Sequence, residues 1–140
     1  MEYRKFGNTI VARLDKGEDI LTQVKAIAQQ EKIALANVQA LGAIDHFTVG
    51  VFDPAAKTYQ AHEFRGCFEI VSLTGTISTM NGEVYCHLHL SAGDEKGAVF
   101  GGHLNQANVS ATCEMVIQCI DGRVEREFSE EIGLNLFKFL

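Results

Sequence analysis

EVYCHLHLSAGDEKGAVFGGHL, residues 83–104, divides into two strands around a polar turn. Val84 to Ala92 reads as one strand and Ala98 to Leu104 as the other. Between them Gly93-Asp94-Glu95-Lys96-Gly97 has glycine at both ends, which suits a hairpin connection. If Ala92 faces Ala98, counting places His87 opposite His103 and His89 opposite Gly101. Strand side chains alternate, so His87 and His89 share a face, and a residue directly across shares it too. Three of the five histidines of the chain are thereby expected to converge. Three imidazole nitrogens on one face make an open ligand set for a zinc-like divalent ion. The competing reading is an imidazole cluster that holds an anion or nothing.

Outward from this hairpin, Asn105 to Asn108 reads as another turn, leading into a strand from Val109 to Ile120. That pairing sets His103 against Ser110 and Gly101 against Thr112, and brings Glu114 onto the histidine face. A carboxylate there would orient a ligating imidazole or serve as a base toward bound water. The plain alternative is a glutamate satisfied by backbone donors, and one bulged residue would reverse the face. Gly101-Gly102 either lets backbone approach a ligand or gives room for packing. His46 and His62 lie on other segments without a paired partner and are read as structural.

Toward the N-terminus, Tyr3 to Phe6 and Ile10 to Leu14 read as short strands around Gly7-Asn8. Glu18-Asp19 lead into the one strong helical pattern, with Ile20, Leu21, Val24, Ile27 and Ala28 on one stripe, ending near Glu31 or Lys32. Ala36 to Ile44 is apolar, Asp45-His46 marks a bend, and Phe47 to Phe52 continues. Thr58 to Phe64 and Phe68 to Thr79 follow, and Asn81-Gly82 turns the chain into the opening hairpin. Val124 to Phe128 is the last expected strand. Ile132 to Leu140 is an apolar tail that caps either its own sheet or a neighbour. The expected architecture is a single α+β domain over residues 1–140: a curved, mainly antiparallel sheet of about seven strands with one main α-helix packed on it.

Twelve basic against eighteen acidic residues give a net charge of −6, with no basic run, which argues against a bare nucleic-acid binder. No stretch approaches the roughly 20 apolar residues of a membrane helix. Met1 to Lys5 is not followed by an apolar signal segment, so a cytoplasmic location is expected. Cys67, Cys86, Cys113 and Cys119 form no Cys-x-x-Cys pair and read as buried free thiols. No Gly-x-Ser-x-Gly motif or phosphate loop occurs.

Gly66-Cys67-Phe68-Glu69-Ile70-Val71-Ser72-Leu73-Thr74-Gly75, with His87-Leu88-His89 and Gly101-Gly102-His103-Leu104, resembles the plants-and-prokaryotes-conserved (PPC) domain, also described as PD1-like DNA-binding proteins. The likeness covers nearly the whole chain. It implies a largely antiparallel α/β fold, a homotrimer and, in prokaryotic members, a metal (zinc) at His87, His89 and His103. In plants the domain follows AT-hooks. This chain has no Arg-Gly-Arg-Pro core, and Cys67 stands where the plant pattern has Arg. His87-x-His89 followed by Glu95 is also similar to the first metal motif of the cupins. There, however, the glutamate spacing is one residue shorter, and no Pro-x-Gly precedes His103 here.

Three functions are weighed: a homotrimeric metal-binding or regulatory module; a metal-dependent enzyme using bound water with Glu114 as base; and a DNA binder, which the charge disfavours.

Overall fold

Alternation of inward apolar and outward polar residues decides most of the architecture. In β1 (Glu2–Phe6) and β2 (Thr9–Asp15), Ile10, Ala12 and Leu14 point into the core. The computed structural model describes residues 1–140. Helix α1 (Ile20–Gln30) begins at Asp19, whose side chain accepts from the Thr22 amide at 2.9 Å and the Thr22 hydroxyl at 2.7 Å. The other Asp19 oxygen accepts from the Ala107 amide at 2.9 Å, pinning the helix start to the sheet. Ile20, Val24, Ile27 and Ala28 form the buried stripe.

Four long strands follow: β3 (Ala36–Asp53), β4 (Thr58–Met80), β5 (Glu83–Gly93) and β6 (Val99–Cys119). All pairings between them are antiparallel, in the order β1-β2-β6-β3-β4-β5. The N-terminal end of β6 also pairs with β5, so β3 to β6 close on one another and the sheet is a partial barrel. Helix α1 packs against β5 and β6, within a core built around Phe47, Leu73, Leu88, Leu90 and Leu104. Asn81 and Gly82 both have positive φ, the backbone that a tight Asn-Gly hairpin needs.

The expected breaks at Asp45-His46 and near Gly66 are bends or bulges within continuous strands. The expected turn at Asn105 to Asn108 is not formed; β6 runs through it for 21 residues. The polar side chains that suggested a turn bind sideways instead. Asn105 accepts from the Tyr59 hydroxyl at 2.5 Å, and Asn108 donates to Asp45 at 2.7 Å. The last expected strand is β7 (Glu125–Ser129). The apolar tail forms an eighth strand, β8 (Leu134–Lys138), paired with β7 in a separate hairpin that packs on β4.

Candidate metal centre

Leu88, Leu90 and Ala92 are buried, so the alternate residues of β5, His87 and His89 among them, stand on the outer face of the sheet. The register differs by two residues from the sequence expectation. Ala92 pairs with Phe100, and His89, not His87, lies directly opposite His103. The turn residue Asp94 is responsible: its side chain accepts from the Lys96 and Ala98 amides at 2.9 Å each, and its own amide donates to the Ala98 carbonyl. These bonds hold residues 94–98 as the loop, so pairing resumes at Gly93 and Val99. A slip of two preserves the face, and all three imidazoles still converge.

The Nε2 atoms of His87 and His89 are 3.2 Å apart. Ring centroids lie 5.0 Å apart for His87 and His89, 5.1 Å for His87 and His103, and 5.6 Å for His89 and His103. One ring nitrogen from each falls within 4.8 Å of the others. Zinc–imidazole bonds of about 2.0–2.1 Å at tetrahedral angles separate ligand nitrogens by roughly 3.3–3.4 Å. The His87–His89 spacing already matches, and a ring nitrogen of His103 lies within 4.8 Å of both. The residues fit a divalent ion bound through three nitrogens.

Electrostatics favour the neutral, ligating form. Burial, with lesser effects of His103, Arg126 and His89, pushes the His87 imidazole down to about 4. His103 is lowered by burial and then by His89. A metal takes only deprotonated nitrogen, so this environment keeps the lone pairs available.

Two glycines give the close approach that the site needs. A Cβ on Gly101 would sit 2.6 Å from the Leu90 carbonyl of β5, and one on Gly102 would sit 2.6 Å from the Gly50 carbonyl of β3. Beside His103, β6 is thus squeezed between two strands. The glycines serve this chain's own packing.

Glu114 is not part of the cluster. Because β6 does not turn back, it carries Glu114 toward the other end of that strand, paired with Arg13 of β2 and Leu41 of β3. It shares the outer face with the histidines. Along β6, however, it stands eleven residues beyond His103. There Glu114 lines a concavity of about 770 Å³ with Phe6, Val11, Arg13, Leu41 and Val71. His46 is bound to Glu63 at 2.9 Å, and neither His46 nor His62 joins the cluster. The four cysteines are unpaired. Cys113 is buried, as expected of all four, but Cys67 is exposed. Burial pushes the Cys86 and Cys113 thiols up to about 11 and about 12.

One neighbour of the triad was not anticipated. Arg126 of β7, only 8% exposed, lies over the Tyr85 ring, two residues before His87. Nothing in its spacing distinguishes it from the other basic residues, because its place depends on how the last hairpin folds back.

The Plants and Prokaryotes Conserved (PCC) domain family matches residues 1–121. No curated protein matches the chain. Solved structures similar over 99% of it include three from different organisms. A Bacteroides thetaiotaomicron protein, provisionally described as DNA-binding, has 32% identity over 96% of its own length and a TM-score of 0.96. A metal-containing protein of Archaeoglobus fulgidus has 33% identity over 97% of its length and a TM-score of 0.89. A plant- and prokaryote-conserved (PPC) protein of Pyrococcus horikoshii has 31% identity over 96% of its length and a TM-score of 0.86.

Proposed function

Since the chain belongs to the Plants and Prokaryotes Conserved domain family, we propose that it is a metal-binding module whose ion is held by His87, His89 and His103. The observation that carries this reading is the mutual approach of three ring nitrogens within 4.8 Å on one rigid strand pair. The metal-containing relative from Archaeoglobus fulgidus supports it. Zinc is the ion that three neutral imidazoles suit best. When bound, it would supply a Lewis-acidic centre with a position open to a further ligand.

We further propose that the chain works as a homotrimer. Phe6, Val11, Leu41 and Val71 are 61%, 47%, 57% and 62% exposed around one concavity. A contiguous apolar face of this kind suits burial against copies of the same chain. Four unpaired thiols suit the reducing cytoplasm. The enzymatic alternative that used Glu114 as base is weakened by the separation between Glu114 and the triad. The DNA-binding alternative has support in the provisional description of the Bacteroides relative, but the net charge of −6 opposes it.

Metal analysis of protein purified without chelator, beside a His87→Ala/His89→Ala variant, tests the central claim. One equivalent of ion per chain is expected in the wild type and almost none in the variant. Equal metal in both would sink the assignment.

A further inference from the structure

Arg126 is a buried cation without an acidic partner. Its guanidinium is sandwiched between the Tyr85 and Phe137 rings, 4.4 Å from each centroid. Both flat faces are covered, so only the edge carrying the N–H groups is available. Nε donates to the Ser78 hydroxyl at 2.9 Å, Nη1 to the Asn135 carbonyl at 2.9 Å, and Nη2 to the Thr76 hydroxyl at a long 3.5 Å. Three of five N–H groups are thus used, all on neutral acceptors, and two are left without a protein acceptor. No carboxylate pairs with Arg126, although ion pairs occupy Arg13, Arg65, Arg123 and Lys138.

The direction of the group is informative. Ser78 pairs across the strands with Tyr85, and the next rung on the same face pairs Thr76 with His87. The guanidinium spans these two rungs, its Nε end at Ser78 and its Nη2 end at Thr76, toward the histidines.

An ion of charge +2 on three neutral imidazoles would therefore stand beside a buried +1 that has no carboxylate partner. Two such cations are compatible when an anion lies between them. We propose that Arg126 and the histidine triad together form a receptor for a small oxyanion, a carboxylate or phosphate group. The ion on His87, His89 and His103 holds one end, and the free edge of the guanidinium holds the other. This rests on the metal-binding reading and adds to it the class of ligand. Arg126 lies beyond the residues that match the family, on β7. Its role is to position the anion. A forked guanidinium suits the two oxygens of such a group better than an ammonium does.

The test uses the full chain loaded with cobalt(II), whose visible absorption reports a change of ligands. Inorganic phosphate and acetate are titrated separately. The wild type is expected to show a saturable spectral change with at least one of them, and their order assigns the class. Arg126→Met, which keeps the packing volume but removes the charge, should bind cobalt with unchanged stoichiometry. Its half-saturating anion concentration should rise at least tenfold, the loss expected for a charge-assisted hydrogen bond. Arg126→Lys should fall between. Equal half-saturation in the wild type and Arg126→Met overturns the proposal and makes Arg126 a clamp for the last hairpin. So does a wild-type cobalt band that neither anion moves. The metal reading fails separately, before any anion is added, if the wild type takes up no more cobalt than His87→Ala/His89→Ala. Should Arg126→Met not fold by circular dichroism, the wild type alone decides. Anion is expected to raise the Tm of cobalt-loaded protein and not of metal-free protein, and an equal rise in both overturns the proposal.

Discussion

Gly102→Ala tests whether the barrel closure positions the histidines. The new Cβ would lie 2.6 Å from the Gly50 carbonyl oxygen and 3.1 Å from the Gly50 nitrogen. Ordinary contact begins at 3.4 Å, so the two backbones must part by about 0.8 Å (3.4 minus 2.6). Neither neighbour is a flexible side-chain tip. Both belong to β3, which is itself paired to β4 on its other side. Overpacking of this kind costs about 1–3 kcal/mol, and the rigid backbone on both sides places this case near the top of the range. For a chain of this size that is a fall in Tm on the order of 10 °C. The shift also falls beside His103, so zinc affinity should weaken together with stability. Thermal unfolding followed by circular dichroism, with and without zinc, reads both effects. Gly122→Ala is the control: its Cβ would meet only Leu35 at 3.8 Å, and it should leave Tm unchanged or slightly raised. If Gly102→Ala melts within a degree or two of the wild type and binds zinc equally well, the strands yield freely and the steric reasoning is wrong.

Other outcomes follow from the same structure. Zinc at a hundredfold its Kd should stabilise the wild type by about 2.7 kcal/mol, seen as a Tm increase; His103→Ala should lose that increase and His62→Ala keep it. Phe47→Ala removes a fully buried ring whose centroid is 5.0 Å from those of Phe64 and Phe68, and should cost about 3–5 kcal/mol in denaturant unfolding. The Glu125 carboxyl is held below its usual 4.5 by the Thr79 hydroxyl, then by Arg123. Its folded form binds the proton less readily than the unfolded form. Its contribution is therefore complete above about 4.5 and is lost as pH falls through the lower folded value. Urea midpoints between pH 3 and 6 should fall less steeply with acid for Glu125→Gln than for the wild type. Equal slopes would remove Glu125 as a source of the acid sensitivity.

Much of the site was legible because it depends on parity. Leu88 and Leu90 mark the inner face of β5, so His87 and His89 must be outside, whatever the exact loop length. The error of two in the register therefore moved His103 from one histidine to the other without separating them. Glu114 had no such protection. Its assignment depended on a turn at Asn105 to Asn108, and those polar residues are satisfied by Tyr59 and Asp45 on neighbouring strands. Local composition cannot distinguish a turn asparagine from a strand asparagine whose partner is 46 or 63 residues away. The one helix was clear for the opposite reason: its cap, Asp19 to Thr22, and its stripe are contained within a dozen residues.

By itself, then, the sequence determined the quantities that repeat at short range: strand faces, the helix with its acidic start, the Asn81-Gly82 turn, and three histidines on one side of a hairpin. The tertiary structure alone decided what long-range pairing controls. It made β6 a single strand bridging β5, β3 and β2, and so carried Glu114 eleven residues along that strand from His103. It also folded the last hairpin back onto β4, setting Arg126 beside His87. The physical reason is that periodicity reports which side a residue faces, whereas only the closed hydrogen-bond network reports what lies across from it.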